Sequence, residues 1–220
     1  MNESHSTAPS PPAPAGSSVI DISHHNGKSL DFERAKADGI LGVIHKASQG
    51  TAGRDPMFAA NRAKAHEAGL LWGAYHFATG SDGARQAAHF LDAVGDPRGV
   101  LLALDLEPNP DGASMDLVGA HAFVVHIYEK TGRFPGLYSG HAIKQLLGDR
   151  RDPILANCWL WLAQYGPKAV VPPNWPTWTL WQYTDGRIGG DPKVVEGIGP
   201  CDRSRFNGPE ANLRKLWRVE

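Results

Sequence analysis

Two carboxylates, one residue apart, close an unbroken apolar run. Val100–Pro110 reads VLLALDLEPNP: Val100 to Leu104 is apolar, Asp105 and Glu107 follow, and Pro108 ends it. A run of this length, bounded by Gly99 and Pro108, suits a strand buried on both faces, as in a parallel sheet. Side chains alternate along a strand, so Asp105 and Glu107 project to one side, about 6–7 Å apart along the backbone. Two acids at the C-terminal end of a buried strand cost free energy unless they are paired or perform chemistry. In barrels and open α/β sheets, that end is where catalytic groups gather. A structural pair, one acid capping a loop and the other in a salt bridge, is the bland reading of the same residues.

The elements that must position this pair follow in order. Val19–Ile22 reads as a strand with Asp21 near its end, and Leu30–Ala37 as a short helix capped by Asp31 or Ser29. Ile40–Ala47 is a second strand ending in His45 and Lys46, and Asp55–Ala68 a helix with Asp55 as N-cap and Pro56 in its first turn. Leu70–Phe77 is a third strand, Ser81–Val94 a helix closed by Gly95, and the Val100 run the fourth strand. Ser114–Thr131 is the longest helix, with a stripe of Leu117, Ala120, Val124 and Ile127 or Tyr128, and Gly132 ends it. Strands over Phe134–Tyr138, Cys158–Ala163, Thr177–Tyr183 and Gly199–Phe206 follow, with one short helix, His141–Leu147, among them.

Strands alternating with helices predict parallel pairing with crossovers, and about eight strands predict closure into a barrel. The fold class expected is α/β: a single-domain, irregular, flattened (β/α) barrel with mostly parallel strands and reduced helices in its second half. Residues 1–18, rich in Pro, Ala and Ser, read as a disordered tail, and residues 19–220 as the barrel domain.

Composition excludes several classes. The chain has 220 residues, 41% hydrophobic and 20% charged, with a net charge of −1, so no overall basic field draws it to nucleic acid or an anionic membrane. No apolar run approaches the ~18 residues of a membrane span. The first residues have neither the basic start nor the apolar core of a secretory signal. Cys158 and Cys201 are expected to be free thiols.

If the barrel closes, one face collects Asp21, His45 or Lys46, Tyr75 with His76, Asp105 with Glu107, Tyr138, Gln164 with Tyr165, Gln182 with Tyr183, and Asp202. Carboxylates handle protons and a developing oxocarbenium charge, aromatic faces stack on sugar rings, and amides bond hydroxyls, so this is the composition of a saccharide site. No metal or cofactor is expected. His24 and His25 are adjacent, and on a strand adjacent side chains diverge.

An ordered series of motifs carries a resemblance: VIDISHHNG, KASQGT, DPMFAANRAKAHEAGLLWGAYHF, LALDLEP, GLYSG, WLAQYG, LWQYTDGRIGG and CDRSRFNG. From about Val19 to Leu216 the chain resembles the glycoside hydrolase family 25 lysozymes, N-acetylmuramidases that cleave peptidoglycan. The resemblance implies hydrolysis of the β-1,4 bond from N-acetylmuramic acid to N-acetylglucosamine, with retention. It implies Glu107 as general acid, and Asp105 ionised and supporting an acetamido-assisted or nucleophilic step. It also implies Asp21, Asp202, Tyr75, Tyr138, Gln182, Trp161 and Tyr165 as substrate-binding. The implied partner is the glycan strand and the implied place the bacterial cell wall, extracellular or periplasmic, with a monomeric chain and no nucleic acid or membrane. Two stretches depart from the family pattern, His24-His25-Asn26 and Ala78-Thr79; both fall in expected cleft loops and bear on fine specificity. A catalytically weak wall-binding module and a metal-dependent amidohydrolase on a similar barrel are the competing readings.

Overall fold

Strand alternation sorts this chain into two packed layers. A computed structural model of the protein describes residue 16 and residues 18–217, and the tail expected over residues 1–18 lies almost wholly outside them. In chain order the strands are β1 (Val19–Ile22), β2 (Gly42–Gln49), β3 (Gly53–Arg54), β4 (Leu71–Phe77), β5 (Val100–Asp105), β6 (Gly136–Ser139), β7 (Trp159–Ala163), β8 (Leu180–Thr184), β9 (Val194–Val195), β10 (Gly199–Pro200) and β11 (Asp202–Phe206). Eight of them close a barrel in the order β1-β11-β8-β7-β6-β5-β4-β2, with β2 pairing back onto β1. Every pairing from β1/β2 round to β7/β8 is parallel, and β11 runs antiparallel to both β8 and β1. The expected eighth strand, Gly199–Phe206, is therefore two elements. Gly199–Pro200 pairs with β9 in a small hairpin, and only Asp202–Phe206 joins the barrel.

The helices are α1 (Phe32–Ala37), α2 (Phe58–Glu67), α3 (Gly83–Val94), α4 (Leu117–Thr131), α5 (His141–Leu147) and α6 (Glu210–Trp217). Asp31, Asp82 and Asp116 cap α1, α3 and α4 by accepting from backbone N–H groups three residues on. The cap expected for α2 is corrected. Met57 is its N-cap, and Asp55 instead accepts from the Met57 N–H and from both the backbone and ring of His24. Helices thin out after β6 as expected, and among the described residues no helix lies between β7 and β8 or between β8 and β11. No described helix is long and apolar enough to cross a membrane.

Outward-facing residues such as Ile20, Val43, Trp72, Leu102, Leu137 and Leu160 meet the helices in one core. Inward-facing Val19, Ile44, Leu71, Leu101, Ala103, Leu180 and Phe206 form a second core inside the barrel. Helix α6, unforeseen in the sequence, plugs this inner core from below with Leu213 and Trp217. The Trp217 indole donates to the Trp72 carbonyl at 2.8 Å. Gly42 makes room for it, because a Cβ there would stand 3.2 Å from the Trp217 ring.

Candidate active site

The inward rows end in polar residues. On β1 the inward Val19 is followed by Asp21, on β4 Leu71 by Tyr75, on β5 Leu101 and Ala103 by Asp105, and on β8 Leu180 by Gln182. Beyond β5 the chain stays pinned: the Leu106 N–H donates to the Tyr138 carbonyl at 2.9 Å, and Ser139 Oγ donates to the Leu106 carbonyl at 2.7 Å. Glu107 therefore continues the alternation and faces the same way as Asp105. Antiparallel β11 sets Asp202 directly across from Asp21.

These residues enclose a cavity of about 150 Å³ lined by Asp21, Tyr75, Asp105, Glu107, Tyr138, Trp161, Gln182 and Asp202. Asp21, Tyr75, Asp105, Glu107, Tyr138, Trp161, Gln182 and Asp202 thus converge, and Tyr165 lies at the rim, 39% exposed but donating to Gln182 Oε1 at 3.1 Å, whereas Tyr183 packs in the outer core and Gln164 bonds to Lys144 and to the Lys168 carbonyl. Tyr138 donates to the same oxygen at 2.9 Å, and Gln182 Nε2 donates to both Asp21 oxygens at 3.0 and 3.1 Å. Two phenols thus orient one amide, and the amide orients one carboxylate. Trp161 is fixed by its indole N–H on Ser204 Oγ at 2.9 Å and by Tyr138 packed edge-on at 4.7 Å between centroids. Asp105 Oδ1 is buried and has no hydrogen-bond partner among the described residues.

Four acids in one small cavity repel and are poorly solvated. Burial, and then the neighbouring Asp202, push the Asp21 carboxyl well above the usual carboxylate range, with the Gln182 amide working against them. Burial and then Glu107 do the same to Asp105, against the pull of Lys46. Burial raises Glu107, and raises Asp202 to about 6. All four shifts run the same way, so the cluster holds protons more tightly than isolated carboxyls do. Asp105, expected to be ionised, is pushed toward the protonated form, and Lys46 is the charge acting in the other direction.

Sequence reasoning left His45 and Lys46 unseparated. His45 faces outward, bonded to the Lys46 carbonyl and to Asn61, while Lys46 shares the strand face of inward Ile44. His76 also faces outward, onto Ser48 and Gln86. His24 and His25 occupy a single 3-10 turn rather than a strand, with ring centroids 3.9 Å apart, so the reason given for their divergence does not hold. Among the described residues no group of His, Cys, Asp and Glu has a metal-binding arrangement. Arg203 and Arg205 alternate away from Asp202. The first donates to the Val194 carbonyl and the second lies over Trp181 and Tyr183. Trp159 joins Trp161 inside the barrel, whereas Trp175 and Trp181 belong to the outer core. Both cysteines are free and buried. Ser204, which holds Trp161, carried no signal in the sequence.

A parallel barrel with one antiparallel strand, whose mouth gathers four acids among aromatic and amide side chains, defines a glycoside hydrolase. The family described as glycosyl hydrolases family 25 matches residues 20–191, and the chain belongs to it. It is 33% identical to Lysozyme M1 of Streptomyces globisporus, over 92% of this chain and 71% of that protein. It is 30% identical to an N,O-diacetylmuramidase of Chalaropsis sp, over 90% of this chain and 97% of that protein. Its fold superposes on the bacterial lysozyme from Streptomyces coelicolor with a TM-score of 0.78 at 34% identity, covering 90% of this chain and 94% of that one.

Proposed function

We propose that this glycoside hydrolase is a peptidoglycan muramidase, acting at the bacterial cell wall on the β-1,4 bond from N-acetylmuramic acid to N-acetylglucosamine with retention of configuration. Glu107 is the general acid. Its burial raises its affinity for the proton that the leaving oxygen must receive. Asp105 supports attack by the substrate's own 2-acetamido group. The observation that carries this reading is Asp105 Oδ1, a buried acceptor with no partner among the described residues, at the floor of a sugar-sized cavity. An acetamido N–H donating to it would satisfy the oxygen and polarise the amide toward the anomeric carbon. Asp21, held by Gln182, and Asp202 bond sugar hydroxyls, and Trp161 with Tyr75 and Tyr138 supplies the apolar wall.

The test is product analysis on purified peptidoglycan. New reducing ends should be muramic acid, recovered as muramitol after borohydride reduction, with the β-anomer formed first by NMR. Glucosaminitol ends would reassign the bond cleaved, and new amino groups without reducing ends would favour the amidohydrolase reading. Binding without release of either would leave the wall-binding module.

A further inference from the structure

The acid cavity does not stand alone at the mouth of the barrel. Beside it, at the ends of β2 and β4, lies a second cavity of about 360 Å³ whose wall includes His24, Lys46, Gln49, Arg54, Asp55 and Thr79. Phe77 connects Lys46, in the wall of the second cavity, with Asp105, in the wall of the first. Phe77 is paired in register with Asp105, and the Lys46 ammonium sits over its ring, 5.0 Å from the centroid.

The cations of this second cavity are not equivalent. Arg54 is paired with Asp92, and His24 is bonded to Asp55 at 2.7 Å. Among the described residues Lys46 makes no direct ion pair, although the Asp105 and Asp55 charges act on it; its Nζ donates to the neutral side-chain oxygen of Gln49 at 2.7 Å. A half-buried ammonium held by an amide and an aromatic face keeps donor capacity for an incoming anion. A further groove shares Asp202 with the acid cavity and is lined by Asp185, Arg187 and His25 as well.

We infer that the Lys46 cavity is a binding site for the carboxylate borne by the 3-O substituent of the muramic residue, and that Lys46 is its anchor. The inference rests on the substrate proposed above. A glycan strand in which alternate sugars carry an acid matches an ammonium that lies near the acid cavity and, among the described residues, has no direct ion pair. Neutral N-acetylglucosamine polymers offer nothing for Lys46 to bind. The His24–Asp55 contact walls the same cavity, which gives the unusual His24-His25-Asn26 turn a part in shaping it.

The experiment uses soluble glycan strands in four forms: peptide-bearing and peptide-free, each native and carboxyl-reduced. Release of reducing ends is followed for wild type, Lys46→Met and Lys46→Arg. A charge-assisted contact of this kind corresponds to about a 10- to 100-fold change in kcat/KM. Wild type should lose that factor when the carboxylates are reduced. Lys46→Met should lose it on native strands, mostly through KM, and lose nothing more on reduced ones, while Lys46→Arg keeps most of the wild-type value. An effect on peptide-free strands assigns the lactyl carboxylate, and an effect confined to peptide-bearing strands assigns the stem; both support the site. Equal loss by Lys46→Met on native and reduced strands, or no loss on either, overturns it. Absence of reducing ends from wild type on every strand would instead overturn the proposed function.

Discussion

The two ends of the barrel interior are built by the same strands and lie one or two steps of alternation apart. At the lower end Val19, Leu71, Leu101, Leu180 and Phe206 close over Leu213 and Trp217. At the upper end the inward positions one or two steps on are Asp21, Tyr75, Asp105, Gln182 and Asp202, together with Glu107. The floor is apolar, filled and hydrogen-bonded where it must be, with the Trp217 indole on a backbone carbonyl. The mouth concentrates four acids that burial pushes toward the protonated form. The floor supplies stability that the mouth spends on chemistry, so changes at the two ends should separate activity from folding.

The largest effect expected is at the mouth. Glu107→Gln removes the transferable proton with little change in volume, and turnover of peptidoglycan should fall by ~10²–10⁴-fold while the unfolding midpoint stays near that of wild type. A variant that clears cell walls at the wild-type rate would remove Glu107 from the acid role. At the floor, Trp217→Ala opens a cavity under the barrel, and urea unfolding should show a loss of about 3–5 kcal/mol. The molecules that remain folded should keep their turnover, and a loss of turnover beyond the folded fraction would mean the two ends are not independent.

Asp202→Asn sharpens the contrast through pH. Its carboxyl is raised to about 6 in the folded protein, so the folded state holds this proton more tightly than the unfolded chain does. The acid's contribution is most favourable below the unfolded value near 4 and is lost as pH rises through about 6. Replacing it should therefore stabilise the protein at pH 8 by on the order of 1–3 kcal/mol and do nothing at pH 3. Equal effects at both pH values would mean that Asp202 does not share in the proton load of the cluster. The smallest effect is expected from Ser204→Ala, which strips the Trp161 indole of its acceptor at a cost of about 1 kcal/mol in thermal unfolding. A loss several times larger would show that Trp161 is positioned by that bond rather than by the packing of Tyr138.

Much of the mouth was legible in the chain because it depends on local rules. Period-two alternation alone puts Asp105 and Glu107 on one side of a strand that Pro108 stops, and puts Asp21 two residues after an inward Val19. Caps at Asp31, Asp82 and Asp116 follow from hydrogen bonds closed within three residues, which any sequence window contains. The reduced helices of the second half were visible as Pro-rich spacing too short for a crossover. What was not legible depends on partners distant in sequence. The antiparallel entry of β11 brings Asp202 opposite Asp21, and no pattern within Asp202–Phe206 specifies direction. Helix α6 earns its place only because the barrel floor, with Gly42 vacating the space, offers Trp217 a socket. The choice of Lys46 over His45 was decided by closure of the barrel, which turns Ile44 inward and with it, two residues on, Lys46. The sequence by itself determined which side chains share a strand face, because that needs only the pleat. The tertiary structure decided which faces meet, which acids share one proton load, and which cation stands beside them, because those are set by closure of the sheet.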